Sequence, residues 1–269
     1  SYFEIQKVNN RLINSQRALA KANVLLKETL EEMRRAENTI EILKRDPVTN
    51  LLTEKIFYER AQVMLEENPG QAFDIIAVDI ERFKIINDAF GTAAGNQLLS
   101  DLSVCLLDIR VDEKSLFARI RADLFAVLVP REEGVYGRLE HSLNCFLKNY
   151  PLPMRLTVKI GVYQIEERDI PVERMCDRAF IAAGSIKGMY AEKIVFYNNA
   201  MREKMLFEQK ILDTMVEALE QGQFQIHLQP KVRVNTEEVA GAEALVRWEH
   251  PELGLLSPAD FLPVFERNG

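Results

Sequence analysis

The chain has 269 residues, 47% hydrophobic and 28% charged, enough for one large domain or two ordinary ones, each with its own core. Its net charge of −7 and pI near 5.3 exclude nucleic acid as the expected partner, because phosphate recognition needs a concentrated basic face. The apolar runs are strand-length and the first residues lack signal-peptide character, so no membrane contact is expected within this chain.

Residues 1–45 contain no glycine or proline and carry a seven-residue repeat. Ile5, Leu12, Leu19, Leu26, Met33 and Ile40 share one heptad position, while Val8, Ser15, Ala22, Thr29, Ala36 and Leu43 fall three residues later. This spacing predicts a coiled coil, and with it a parallel homodimer through residues 5–43. The alternative is a single amphipathic helix lying on its own domain. Asp46-Pro47 ends the helix, since proline disfavours α geometry in the residue before it.

From 46 to 200 the pattern alternates. A helix is expected over 53–66, a buried strand over FDIIAVDI (73–80), a helix over 95–109, and a β-hairpin over 116–129. A helix near 135–148, a strand over 155–165, a helix near 171–186 and a strand over 193–197 follow. The order predicts an α/β (α+β) domain, a mixed sheet with an internal hairpin, covered by helices. Residues 201–221 read as a linker helix with Met205, Leu212, Met215 and Leu219 on one face, and 222–269 open a second domain. Cys105, Cys145 and Cys176 are scattered without partner spacing, as expected of a reducing cytoplasm.

The hairpin tip raises a chemical question. Arg121-Ala122-Asp123-Leu124 holds an aspartate without the glycines a tight turn favours. Asp79 stands at the end of a buried strand, so the two carboxylates form a candidate pair for holding divalent metal; a turn aspartate bonded to its own backbone and a cap after the strand are the alternatives. With DPVTNLLT (46–53) and DIERFKIINDAFGTAAGNQLL (79–99), the hairpin resembles the GGDEF family of diguanylate cyclases over about 46–200. The resemblance implies a 3′-hydroxyl attack on the α-phosphate of GTP, giving cyclic di-GMP, with Mg²⁺ or Mn²⁺ neutralising the developing charge.

Within that resemblance the chain departs from the pattern. RADLF replaces GGDEF, so both glycines are gone and Leu124 stands for the signature glutamate. Asn87 matches a guanine-reading position, but Asn96 replaces an aspartate and offers one acceptor oxygen. Lys84 matches a phosphate contact, whereas Gly184 and Gly188 occupy the positions of two further basic ligands, with Lys187 only nearby. Asp112-Glu113-Lys114-Ser115 aligns with the product-binding RxxD motif without matching it. The expectation is an inactive domain that dimerises or regulates, with residual nucleotide binding at Lys84, Asn87 and Asn96. The alternative is a weakly active nucleotidyl cyclase using Asp79 and Asp123 with altered nucleotide preference.

GQFQIHLQPKVRVNTEEVAGAEALVRWEHPELGLLSPADFLPVFERNG (222–269) resembles the opening of an EAL domain, a TIM-like barrel that hydrolyses cyclic di-GMP. Glu243-Ala244-Leu245 carries the motif, with Arg247 two residues on and Gln229-Pro230-Lys231 before it. The resemblance implies a metal ligand at Glu243 and dinucleotide contacts from Gln229, Leu245 and Arg247. An eight-stranded barrel takes about 250 residues, so this stretch is expected to belong to a longer parent, and Glu243 to be inert without its partner ligands.

Overall fold

A computed structural model describes residues 19–35, 41–189 and 192–268, which fall into two units divided between Val195 and Phe196. Helix α1 (19–35) is exposed along its whole length, including Leu19, Leu26 and Met33. The heptad positions at 5–15, 36 and 40 lie outside the described residues.

After α1, the Asp46 carboxylate builds the turn that the proline begins. Its Oδ1 accepts hydrogen bonds from the backbone N–H groups of Val48 (3.1 Å) and Thr49 (2.8 Å) and from the Thr49 hydroxyl (2.9 Å). The first unit then runs β1 (Leu52–Thr53), α2 (Glu54–Glu67), β2 (Phe73–Ile80), α3 (Phe83–Phe90), α4 (Thr92–Leu107), β3 (Leu116–Arg121), β4 (Leu124–Pro130), α5 (Val135–Asn149), β5 (Val158–Gln164), α6 (Val172–Ser185) and β6 (Ile194–Phe196). The six strands form one mixed sheet in the order β1-β3-β4-β2-β5-β6, with β1 parallel to β3 and β2 antiparallel to both β4 and β5.

Strand β2 is buried at every residue because helices cover both faces. Ile76, Val78 and Ile80 pack with Phe83 and Ile86 of α3, Leu98, Leu99 and Leu102 of α4, and Leu139 and Leu143 of α5. Pleating turns the alternate residues, Asp79 among them, to the face that α6 covers. One polar side chain on β2 is satisfied internally: Asp74 accepts from Arg131 Nε at 2.8 Å and from the Tyr136 hydroxyl.

Two elements differ from the sequence reading. The stretch read as a helix over 95–109 is preceded by the separate helix α3, and the break falls at Gly91, whose φ of 84° lies in the region that favours glycine. At the hairpin tip the positive φ, 46°, belongs to Ala122 rather than to the aspartate.

The second unit contains α7 (Asn199–Glu220), β7 (Phe224–Val232), β8 (Val239–His250), β9 (Gly254–Leu256) and α8 (Pro258–Asn268), with the three strands antiparallel in the order β7-β8-β9. Its core joins Ile211 and Ala218 of α7 to Trp248, Leu256, Phe261 and Val264. The helix read as a linker is therefore part of this core, and its packed face matches the expected one in part: Leu212 and Met215 pack against the cluster. Met205 and Leu219 are 45% and 72% exposed, while Ile211 and Ala218 are buried. The most deeply buried positions fall beside the expected stripe, because the packed face follows the aromatic cluster of Trp248, Phe224 and Phe261.

Candidate functional site

The sheet register sets Asp79 opposite Leu124 on β4 and opposite Lys159 on β5. Hairpin closure through the Arg121–Leu124 pair leaves Ala122 and Asp123 at the turn beside the end of β2. The structure thus brings the two sequence-predicted carboxylates together. Burial pushes the Asp123 carboxyl up from its usual range, and the charge of Asp79 adds to that, against its own backbone N–H, Lys187 and Arg119.

Arg119 holds the tip from below. Its Nε donates to Ala122 O at 2.8 Å, and its guanidinium also donates to both Asp46 oxygens at 3.1 and 3.2 Å. One side chain therefore ties the turn after α1 to the turn that carries Asp123.

The segment after α6 closes over the end of the sheet. Lys187 Nζ lies 2.6 Å from Asp79 Oδ2, and Gly188 N–H donates to Glu81 Oε1 at 2.7 Å. Lys159, with none of its surface exposed, donates from Nζ to the carbonyls of Met189 and, at 2.9 Å, Glu192. Sequence reasoning missed the Lys159 anchor, although a lysine inside the apolar run VKIGVY was its one available signal.

Lys84 stands exposed on α3 and Asn96 exposed on α4. Asn87, half-buried on α3, has a buried Oδ1 with no hydrogen-bond partner. That oxygen lies against Gly95: a Cβ there would meet it at 1.9 Å, so α3 and α4 approach this closely only with glycine at that position.

In the second unit, pairing sets Gln229 opposite Glu243, His227 opposite Leu245 and Gln225 opposite Arg247. Directly paired residues share a sheet face, so Gln229, Glu243, Leu245 and Arg247 lie on one side. Phe224, Val246 and Trp248 turn the other way into the core. Glu243 Oε2 is 3.1 Å from Lys231 Nζ, with about half of the Glu243 side chain exposed.

A six-stranded sheet of this order, with a carboxylate at the end of its central strand facing a hairpin-tip carboxylate, defines the class of domain. The model of the diguanylate cyclase GGDEF domain matches residues 43–188 and that of the EAL domain matches residues 212–269, so the chain belongs to the GGDEF family and continues into an EAL segment. It is 31% identical over 250 residues to the cyclic di-GMP phosphodiesterase PdeR of Escherichia coli, covering 89% of this chain and 37% of the relative. Against the bifunctional diguanylate cyclase/cyclic di-GMP phosphodiesterase MucR of Pseudomonas aeruginosa it is 26% identical, covering 86% and 34%. The chain thus spans about a third of the length of these relatives.

Among solved structures, the S helix-GGDEF-EAL region of Vibrio cholerae LapD bound to c-di-GMP has a TM-score of 0.57 at 16% identity, covering 88% of this chain and 56% of that one. The coiled coil and GGDEF domain of DgcB from Caulobacter crescentus, in complex with c-di-GMP, has a TM-score of 0.52 at 22% identity, covering 70% and 98%. At these identities the likeness shows the fold alone. Among the described residues no helix is long and apolar enough to cross a membrane.

Proposed function

We propose that this chain is part of a cyclic di-GMP signalling protein in which the GGDEF domain has lost cyclase activity. In this reading it serves as a dimerising, regulatory module for an EAL phosphodiesterase that 212–269 opens. The carrying observation is the hairpin tip. Arg121 paired with Leu124 around Ala122-Asp123 puts a cationic side chain and an aliphatic one where the family pattern has glycine and glutamate. With Asn96 and Gly184 at two further substrate positions, several contacts worth about 1–3 kcal/mol each are absent together, which lowers turnover by orders of magnitude.

Both of these relatives are phosphodiesterases by name, one of them also a diguanylate cyclase, which supports the reading of the second half. Gln229, Glu243, Leu245 and Arg247 on one face of β7–β8 would serve dinucleotide binding there. Glu243 offers one carboxylate, and a hydrolytic Mg²⁺ or Mn²⁺ centre needs further oxygen ligands from the rest of such a domain. The exposed apolar stripe of α1 supports homodimerisation.

Incubating the chain with GTP and Mg²⁺ or Mn²⁺ tests the central claim. No cyclic di-GMP is expected, whereas formation at about 1 per second or faster, the rate scale of working enzymes, overturns it. A second reading is residual nucleotide binding at Lys84, Asn87 and Asn96, of which Lys84 and Asn96 are exposed. Calorimetry with GTP, GDP and ATP checks it: binding at about millimolar strength is expected, and the absence of heat with all three removes the idea.

A further inference from the structure

We propose that Lys187 is the built-in counter-ion of the Asp79–Asp123 pair, filling the role of a divalent cation so that this site takes up none while the lysine is present. This deepens the reading of the GGDEF domain as inactive, but its test follows ion uptake rather than turnover, so either can fail without the other.

The first ground is the need for a cation. The Asp79 side chain is only 7% exposed, and a carboxylate at that depth without a partner is strongly disfavoured. Lys187 supplies the partner, its Nζ 2.6 Å from Asp79 Oδ2. Its charge also reaches Asp123, where it opposes the upward pull of burial and of Asp79.

The second ground is that the lysine is presented rather than free to leave. Lys187 N–H donates to Gly184 O at 3.2 Å, and the next residue is fastened through its N–H to Glu81. Two residues beyond Lys187, the Met189 carbonyl is held by Lys159, which sits directly opposite Asp79 in the β2–β5 register. With the backbone fixed on both sides, only the side-chain freedom of Lys187 opposes the contact.

The third ground is the donor set. A hard divalent ion wants about six oxygen ligands in compact array. Among the described residues no group of three or more His, Cys, Asp or Glu side chains is placed to hold a metal. Two carboxylates with an ammonium bonded to one of them do not fit such an ion. The arrangement fits internal charge compensation.

Electron paramagnetic resonance of free Mn²⁺ reads the uptake directly. Wild type, Lys187→Met and Lys187→Met/Asp79→Asn are compared, the last separating this site from Glu243 and other surface carboxylates. The expected result is about one additional Mn²⁺ per chain in Lys187→Met, with affinity raised at least tenfold, about 1.4 kcal/mol, and lost again in the double variant. Equal uptake by wild type and Lys187→Met overturns the proposal, whether both bind the ion or neither does. Additional uptake that persists in the double variant overturns it as well. Half of the Lys187 side chain is exposed, so the methionine variant is expected to fold; Lys187→Gln, checked by circular dichroism, provides the same comparison if it does not.

Discussion

The ring of His250 is fixed in one protonation state by its neighbours. Nδ1 accepts the backbone N–H groups of Glu252 (3.1 Å) and Leu253 (3.2 Å), which is open only to a neutral ring with its proton on Nε2. Nε2 lies 3.1 Å from the Thr214 hydroxyl, which itself donates to Lys210 O. Burial and then the Lys210 ammonium hold the His250 pKa below its ordinary value, with Glu252 opposing. Because the folded-state pKa is lowered, the contribution to stability is fully present above the unfolded value of about 6.5 and is lost as pH falls through the folded one. The second unit should therefore unfold at lower urea at pH 5 than at pH 8. His250→Asn keeps an acceptor without the titration, so its midpoint should change less over the same interval. His250→Ala leaves two backbone donors unmet and should cost about 1–3 kcal/mol at pH 8. A wild-type midpoint with the same pH dependence as His250→Asn would show that the ring does not titrate on unfolding.

At the level of elements, α1 differs from every other helix in having no buried face. Leu19, Leu26 and Met33, seven residues apart, are 63%, 57% and 57% exposed, and Val24, Leu25 and Leu30 are exposed beside them. A helix so apolar gains its stability from packing, and within the described residues none of its own chain covers it. Leu19→Glu/Leu26→Glu should shift the chain from twice its mass toward monomer in light scattering, since each charge would be buried without a partner in the seam. A mass unchanged by the substitutions would place the dimer contact elsewhere. The same elements show what periodicity could and could not reveal. FDIIAVDI was readable as a strand-length apolar run, and the hairpin from the alternation on either side of its tip, because both are local signals. Helix α3 was not, since FKIINDAF spans barely two turns and its polar residues carry the site motif. On α7 the packing of Leu212 and Met215 was legible, but Met205 and Leu219 were misread because they fit a heptad as well as Ile211 and Ala218 do, and only the distant Trp248 decides between them. Asp79 and Asp123 were legible as a pair from their places at strand end and hairpin tip. The role of Lys187 was not, because its contact is set by loop geometry 108 residues downstream of its partner.

For the whole molecule, the two units differ in how completely they bury apolar surface. Helices cover both faces of the six-stranded sheet around β2, whereas the three-stranded sheet leaves Ile226 and Leu228 of β7 72% and 67% exposed. Its core rests on Ile211, Ala218, Trp248, Leu256, Phe261 and Val264. Small cores are marginal, and local stability follows buried contact density. The second unit should therefore unfold first. The chain has one tryptophan, Trp248, fully buried in that unit with its indole N–H donating to Gln223 Oε1 at 3.0 Å. Tryptophan fluorescence consequently reports the second unit alone, while far-UV circular dichroism reports both. In urea the fluorescence midpoint should precede the main dichroism transition by on the order of 1 M, the separation expected when two units of different stability unfold in turn. Trp248→Phe should lower the stability of the second unit by removing that hydrogen bond and part of the ring packing, while leaving the later dichroism transition in place. Superimposable fluorescence and dichroism curves would mean that the two units unfold together, and the smaller core could not then be treated as separately stable.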